Sequence, residues 1–420
     1  CIWPPARNRR LNFQCYEYEH SCVYPRHLLE RGDAWWPWHM AHHDEIQSGQ
    51  SPRHCVIESG FAPFLRTDTA ISLGSLFKAL PAALLLLPLR LATFACLLVA
   101  AQLLMLLWKC GPSASPACDP AEDPATSMAV AASKLPCRRL FGRMARVMLF
   151  VLGFYSINVE DRRTRNSRGE RTPTAVLVCN HLSFLDVLVL CSIFDNPSFV
   201  AKESAADVPL FGAFFSFMAC LLVPRQTHER VAATNESTSE RAPLRAHERR
   251  GHSAVTARVV ARQDAFHRLE AAYGGKPPFP LPMLVVFPEA TTTNGVYMLP
   301  FRTGAFVAGK AVTPVCISYP HSKFNPSWET IPVAKYLLRL LLQYRVDCSV
   351  LILPAYEPPA AERADPRAFA DSVRQTMMAA TGALDTESTI VEKKSLHSAI
   401  LAGELPWTTR LPGSCQQRPC

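Results

Sequence analysis

The stretch Ala175-Val-Leu-Val-Cys-Asn-His-Leu-Ser-Phe-Leu-Asp186 places His181 and Asp186 five positions apart at the end of an apolar run. Five steps along a regular helix turn a side chain by about 500°, well off its starting face, so contact requires His181 in a turn and Asp186 on the first turn of the next helix. A carboxylate fixes the tautomer of such a histidine and stabilises its imidazolium. An imidazole, with its ordinary pKa of about 6.5, then takes a proton from an alcohol near neutral pH. Taken by itself the spacing more often marks a satisfied structural histidine, and His39 with Asp44 repeats it without a strand before or an apolar helix after.

A second constellation is Met283-Leu-Val-Val-Phe-Pro-Glu-Ala-Thr-Thr-Thr-Asn-Gly295, an apolar strand that runs out through Pro288 into Glu289 and three threonines, then turns at Asn294-Gly295. The loop offers hydroxyls, backbone N–H groups and one charge to a polar ligand. Taken alone, a threonine-rich turn with Glu289 in a salt bridge accounts for it as well.

The elements that must position these groups are short apolar runs alternating with helical patterns. Strands are expected at Ala175 to Cys179, Ser198 to Ala201, Cys220 to Val223, Leu284 to Phe287, Val312 to Tyr319 and Val350 to Leu353. Helices are expected at Phe184 to Phe194, Leu210 to Met218, Val255 to Tyr273, Val333 to Tyr344 and Pro366 to Ala380. This alternation predicts an α/β domain with a mostly parallel sheet flanked by helices, over residues 137–401, with a mobile surface insertion at 226–252. Residues 1–70 show no periodicity and read as disordered or accessory, residues 111–136 as a Pro/Ala/Ser linker, and 402–420 as a tail.

Ahead of the domain, residues 71–110 form an anchoring segment. From Ala79 to Trp108 the only charge is Arg90, and the eighteen residues from Leu91 to Trp108 reach about 27 Å as a helix, just enough to cross a hydrocarbon core. One transmembrane helix is expected, with a re-entrant hairpin bent near a snorkelling Arg90 as the alternative. Arg138 to Gly153 has the basic-to-apolar character of a helix at a membrane surface or of an ordinary solvated face.

Composition agrees. The 420 residues are 49% hydrophobic and 19% charged with a net charge of +9, which excludes wholesale disorder and suits anionic headgroups, nucleic acid or a phosphorylated ligand alike. Fifteen cysteines without any C-x-x-C pair read as small buried hydrophobes in a reducing compartment, so the domain is expected to face the cytosol.

The motifs Asn180-His181-Leu-Ser183-Phe-Leu-Asp186, Val208-Pro-Leu-Phe-Gly212 leading to Val223-Pro-Arg225, Phe287-Pro-Glu289-Ala-Thr291-Thr292-Thr-Asn294-Gly295 and Val312-Thr-Pro314-Val315 occur in that order. They resemble the four ordered motifs of the glycerolipid acyltransferase family, and within it look like the lysophosphatidylcholine and lysophosphatidylethanolamine acyltransferases. The likeness covers roughly Leu73 to Leu401 apart from the insertion. It implies acyl transfer from acyl-CoA, a co-substrate, to the free hydroxyl of a lysophospholipid, with lysophosphatidic acid as the alternative acceptor and a catalytically weak membrane scaffold as another reading. It implies His181 as general base, Asp186 orienting it, and an acceptor pocket drawn from Asn180, Ser183, Gly212, Arg225, Glu289, Thr291, Thr292, Asn294 and Pro314, with Arg225 meeting phosphate and Glu289 holding a hydroxyl or anchoring Arg225. No resident cofactor or metal is expected, and membrane lipids, acyl-CoA and lysophospholipid are the expected partners, at the endoplasmic reticulum with the domain on the cytosolic side. Ala290 departs from the family, which usually has glycine after the motif glutamate. If the backbone is left-handed there, the methyl is a strain.

Other chemistries lack their motifs. There is no Gly-x-Ser-x-Gly elbow, no His-Glu-x-x-His zinc helix and no calcium loop of the Asp-x-Asp-x-Asn-Gly kind. The arginines at 162, 163, 165, 168 and 171 have no interleaved aromatic residues, so nucleic acid is not an expected partner.

Overall fold

Val176-Leu-Val-Cys179 is buried at every position, the signature of a strand covered on both faces. It is β2, the centre of a seven-stranded sheet ordered β1-β7-β6-β2-β5-β3-β4. The other strands are β1 (Ile157–Asp161), β3 (Pro197–Lys202), β4 (Leu221–Val223), β5 (Met283–Val286), β6 (Val312–Ser318) and β7 (Cys348–Ile352). Every neighbouring pair is parallel except β6 with β7. The computed structural model describes residues 60–68, 80–110, 135–164, 174–202, 211–223, 245–275, 280–320, 324–327, 333–406 and 409–411. All of them lie in one unit, Pro52–Cys420.

Helices cover both faces: α1 (Leu87–Cys110, led in by a wider π turn at Ala82–Leu86), α2 (Leu135–Val151), α3 (Leu185–Ile193), α4 (Phe211–Phe217), α5 (Arg245–Ala272), α6 (Val333–Leu341), α7 (Ala360–Ala364), α8 (Pro366–Thr381) and α9 (Ile390–Leu401). Strand alternation sorts β2 between two cores. Leu177 and Cys179 pack with Phe141, Leu149, Val189, Phe217 and Tyr336 from α2, α3, α4 and α6. Val176 and Val178 pack with Val259, Phe266, Phe369 and Met377 from α5 and α8.

The α/β expectation holds, with corrections at its margins. β1 was not expected, because an edge strand reading Ile-Asn-Val-Glu-Asp is exposed in its middle and shows no apolar run. Helix α5 begins at Arg245, inside the expected insertion, and 226–244 lies outside the described residues. α9 starts on a capping box in which Thr389 and Glu392 satisfy each other's backbone, a Thr-x-x-Glu signal present in the sequence. Residues 60–68 are not accessory, nor is the tail featureless: Ala62, Phe64 and Leu65 form a third core cluster with Val296, Leu299, Leu396 and Leu411.

The apolar segment is one continuous helix rather than a hairpin. Leu84–Trp108 has a mean hydropathy of 2.2, and only 11% of the stretch is buried, so by length and composition it is able to cross a membrane. Arg90 does not mark a bend. Its guanidinium donates to the carbonyls of Leu341 (2.7 Å), Gln343 and Tyr344 at the C-terminal end of α6, where a cation suits the helix dipole. α2 is no purely surface helix either: Phe141, Ala145, Met148 and Leu149 are buried, while Leu140, Val147 and Phe150 face out.

Cys96, Cys137, Cys179, Cys191, Cys220, Cys316 and Cys348 are free thiols. Burial pushes the thiols of Cys316 and Cys348 up to about 12 and that of Cys179 well above its ordinary value, so they remain protonated packing residues.

Candidate active site

Strands β6, β2 and β5 lie side by side and run the same way, so the residues that follow them leave the sheet along one edge. Those residues are Tyr319, His181 and the loop from Phe287 to Asn294. Ligand sites of parallel sheets form at this edge, beyond the carboxyl ends of the strands.

His181 sits in the turn after β2, and Asp186 is in the first turn of α3, where helix N–H groups favour a carboxylate. The His181 Nδ1 to Asp186 Oδ2 distance is 2.9 Å, with the aspartate fully buried and the imidazole 21% exposed. The same oxygen accepts the N–H of Leu182 at 2.7 Å and of Ser183 at 2.9 Å, which orients the carboxylate. Its other oxygen accepts the Tyr319 hydroxyl at 2.5 Å. With Nδ1 engaged by Asp186, Nε2 is the nitrogen left to accept a substrate proton. One face of the ring lies on Phe287, centroids 4.2 Å apart and 22° from parallel, and Phe287 lies in turn on Phe199. A π face beneath an imidazole stabilises the cation it becomes on taking a proton.

The backbone of His181 is held by the second constellation. Its N–H donates to Glu289 Oε1 at 3.1 Å, and its carbonyl accepts the N–H of Thr293 at 3.1 Å. Glu289 Oε2 accepts the N–H of Leu299 at 2.9 Å. The partners Glu289 shows are therefore backbone groups on both sides of the loop. Burial pushes its carboxyl up to about 7, against the opposing pull of the Leu299 and His181 N–H groups and Arg374.

Other expected site residues turn out to be spent on the scaffold. The Asn180 side chain pairs with both the carbonyl (2.9 Å) and N–H (2.7 Å) of Ile317, clamping β2 to β6. Ser183 Oγ is 3.1 Å from the Tyr336 hydroxyl of α6. Asn294 Nδ2 donates to the carbonyls of Ala62 and Leu65, and Thr292 receives Lys393 Nζ at its hydroxyl (2.6 Å) and carbonyl (2.7 Å). Pro314 is in the buried run of β6, in register with Val178. Thr291 is half-buried beside Ala290, and Gly212 opens α4. Arg225 lies outside the described residues. Sequence reasoning missed Tyr319, Thr293 and Lys393. The strand expected to end at Tyr319 carried the signal for the first, but Lys393 comes from a helix about a hundred positions further on and carries none.

Among the described residues no group of three or more His, Cys, Asp or Glu is arranged to hold a metal ion. What the arrangement offers is a carboxylate-held imidazole at a strand end, backed by an aromatic ring.

Residues 156–318, which contain His181, Asp186, Phe287 and Glu289, match the family model described as Acyltransferase. In that segment the chain is similar to the acyltransferase family. It is 33% identical over 284 residues to "Lysophospholipid acyltransferase LPEAT1" of Arabidopsis thaliana, covering 63% of this chain and 64% of that one. It is 26% identical over 370 residues to the human "Lysophosphatidylcholine acyltransferase 1", covering 87% of this chain and 58% of that one. The chain thus spans less than two thirds of either acyltransferase relative. The crystal structure of the 1-acyl-sn-glycerophosphate acyltransferase PlsC from Thermotoga maritima aligns at a TM-score of 0.37 with 15% identity, over 71% of this chain and 94% of that one.

Proposed function

We propose that this acyltransferase domain moves a fatty acyl group from acyl-CoA to the free hydroxyl of a lysophospholipid, lysophosphatidylcholine or lysophosphatidylethanolamine in preference to lysophosphatidic acid, at the endoplasmic reticulum membrane. The observation that carries the reading is the 2.9 Å contact between His181 Nδ1 and buried Asp186 at the edge where β2, β5 and β6 end. The names of the relatives support the substrate class.

An alcohol is too weak a nucleophile for a thioester at neutral pH. His181 Nε2 takes the hydroxyl proton as the oxygen attacks the thioester carbonyl, and Asp186 with Phe287 stabilises the imidazolium. When the tetrahedral intermediate collapses, the carbon–sulfur bond breaks and the CoA thiolate recovers the proton from His181. The products are a phospholipid and free CoA, and the histidine is restored. Glu289 and Thr293 support this step by fixing both backbone groups of His181, so the ring keeps its place through the change of charge.

The test is CoA release by the purified full chain with one acyl-CoA and a panel of lysophospholipids. Release with the choline or ethanolamine acceptors, abolished in His181→Ala with the unfolding transition unchanged, is the expected result. Near-normal turnover by His181→Ala removes the mechanism. No release with any acceptor leaves a membrane scaffold, a role compatible with Ala290.

A further inference from the structure

With His181 taken as the base of the proposed transfer, we infer that Lys393 of α9 is a positioning residue that holds the catalytic turn against the strain at Ala290. Helix α9 lies outside the matched segment 156–318. Its connection to the base is nonetheless short. Lys393 Nζ donates to the Thr292 hydroxyl at 2.6 Å and to the Thr292 carbonyl at 2.7 Å. The next residue, Thr293, donates its N–H to the His181 carbonyl at 3.1 Å. Thr292 and Thr293 are both buried, so water does not readily replace either partner.

Ala290 is what makes the middle of this loop need a holder. Its φ of +58° is a backbone that a residue with a Cβ keeps only when its surroundings impose it. On one side of it, the Glu289 carboxylate is tied to the N–H groups of His181 and Leu299. On the other, Asn294 is tied to the carbonyls of Ala62 and Leu65. Between Ala290 and Asn294, Lys393 fixes both the backbone and the side chain of Thr292, so the loop cannot relax at 290 without breaking those bonds. Relaxation there would draw the Thr293 N–H away from the His181 carbonyl, and the imidazole would turn with its backbone.

The start of α9 is built to deliver this amine. The capping box of Thr389 and Glu392 fixes its first turn, and Lys393 follows directly. Ser388 Oγ donates to the Gly60 carbonyl at 2.8 Å, and Leu396, one turn after Lys393, is buried in the cluster with Phe64 and Leu65. The ammonium stands 5.7 Å over the Phe64 ring, a contact that favours a cation there.

At 8% exposure the Lys393 side chain has given up most of its water. Methionine fills a space of that shape without the cost of desolvating a charge, so packing alone does not call for lysine. A donor reaching a fixed distance into the loop does.

The experiment compares four versions of the full chain: unaltered, Lys393→Met, Ala290→Gly and the two changes together. In CoA release, Lys393→Met should lower kcat per folded molecule about tenfold or more, with KM for acyl-CoA within about twofold. Glycine at 290 takes the left-handed backbone without strain, so the same change should cost at most about threefold in the Ala290→Gly background. A merely structural lysine would lower the unfolding midpoint and leave kcat per folded molecule unchanged. That result, or an equal loss in both backgrounds, overturns the inference.

Amide hydrogen exchange reads the same relationship without acyl transfer. In Lys393→Met the peptide 289–299 should exchange about threefold faster or more while the β2 peptide 175–179 keeps its rate. An unchanged 289–299 peptide, or equal acceleration of both peptides, overturns the inference. If the unaltered chain releases no CoA with any acceptor, the functional proposal fails, and exchange still decides whether Lys393 holds the turn.

Discussion

The Tyr319 hydroxyl donates to Asp186 Oδ1 at 2.5 Å, the oxygen that His181 leaves unused. Burial and the neighbouring Asp186 charge push the phenol well above its ordinary range, so it remains a protonated donor at working pH. It draws off part of the charge that Asp186 presents to the imidazole. Tyr319→Phe removes one of the donors that hold the Asp186 carboxylate against His181, and this loosened positioning should lower kcat about tenfold with KM little changed. Steady-state kinetics of the two proteins checks this, and an unchanged kcat reduces Tyr319 to packing.

Glu289 gives a pH dependence of stability. Its carboxyl is pushed up to about 7 in the folded protein from an ordinary 4.5. Between those values the folded state binds more protons than the unfolded state, so this residue's contribution is complete below about 4.5 and is lost as pH rises to about 7. Glu289→Gln removes that slope and leaves only one oxygen for the two N–H groups of His181 and Leu299. Urea midpoints should show the wild type ahead of Glu289→Gln by more at pH 5 than at pH 8.

How far these features were legible in the sequence follows from where their determinants lie. β2, β5 and β6 are continuous apolar runs because both faces of the sheet are covered, and their ends fixed His181 and the Glu289 loop at one edge. The contact between His181 and Asp186 was legible because a strand-to-helix turn leaves few geometries for that spacing. What did not show was side-chain partnership across distance. Asn180, Ser183 and Asn294 look like ligand-binding residues by type, yet their polar atoms meet Ile317, Tyr336 and Ala62. Nothing in the composition of 60–68 announced that it would pack beneath a loop more than two hundred residues later.

Ala290 is a measurable strain. Its φ is +58°, in the left-handed region where an L-residue with a Cβ costs about 1 kcal/mol or more and glycine does not. Ala290→Gly should raise the thermal midpoint, by about 1 kcal/mol in unfolding free energy, without lowering turnover. A lower midpoint would mean that the methyl makes a compensating contact.

Asn294 is the residue on which the N-terminal segment is hung. It is 2% exposed, donates through Nδ2 to Ala62 and Leu65, and accepts the N–H of Val296 at 3.0 Å through its own oxygen. Asn294→Ala abandons two carbonyls and one N–H in a buried place, each worth about 1 kcal/mol or more, and should speed tryptic cleavage at Arg66. Asn294→Asp separates the roles, since a carboxylate still accepts from Val296 but turns negative oxygen toward both carbonyls. The aspartate variant should therefore be cleaved at least as fast as the alanine variant. Protection of Arg66 in Asn294→Asp would show that acceptance from Val296, rather than donation to 62 and 65, holds the segment in place.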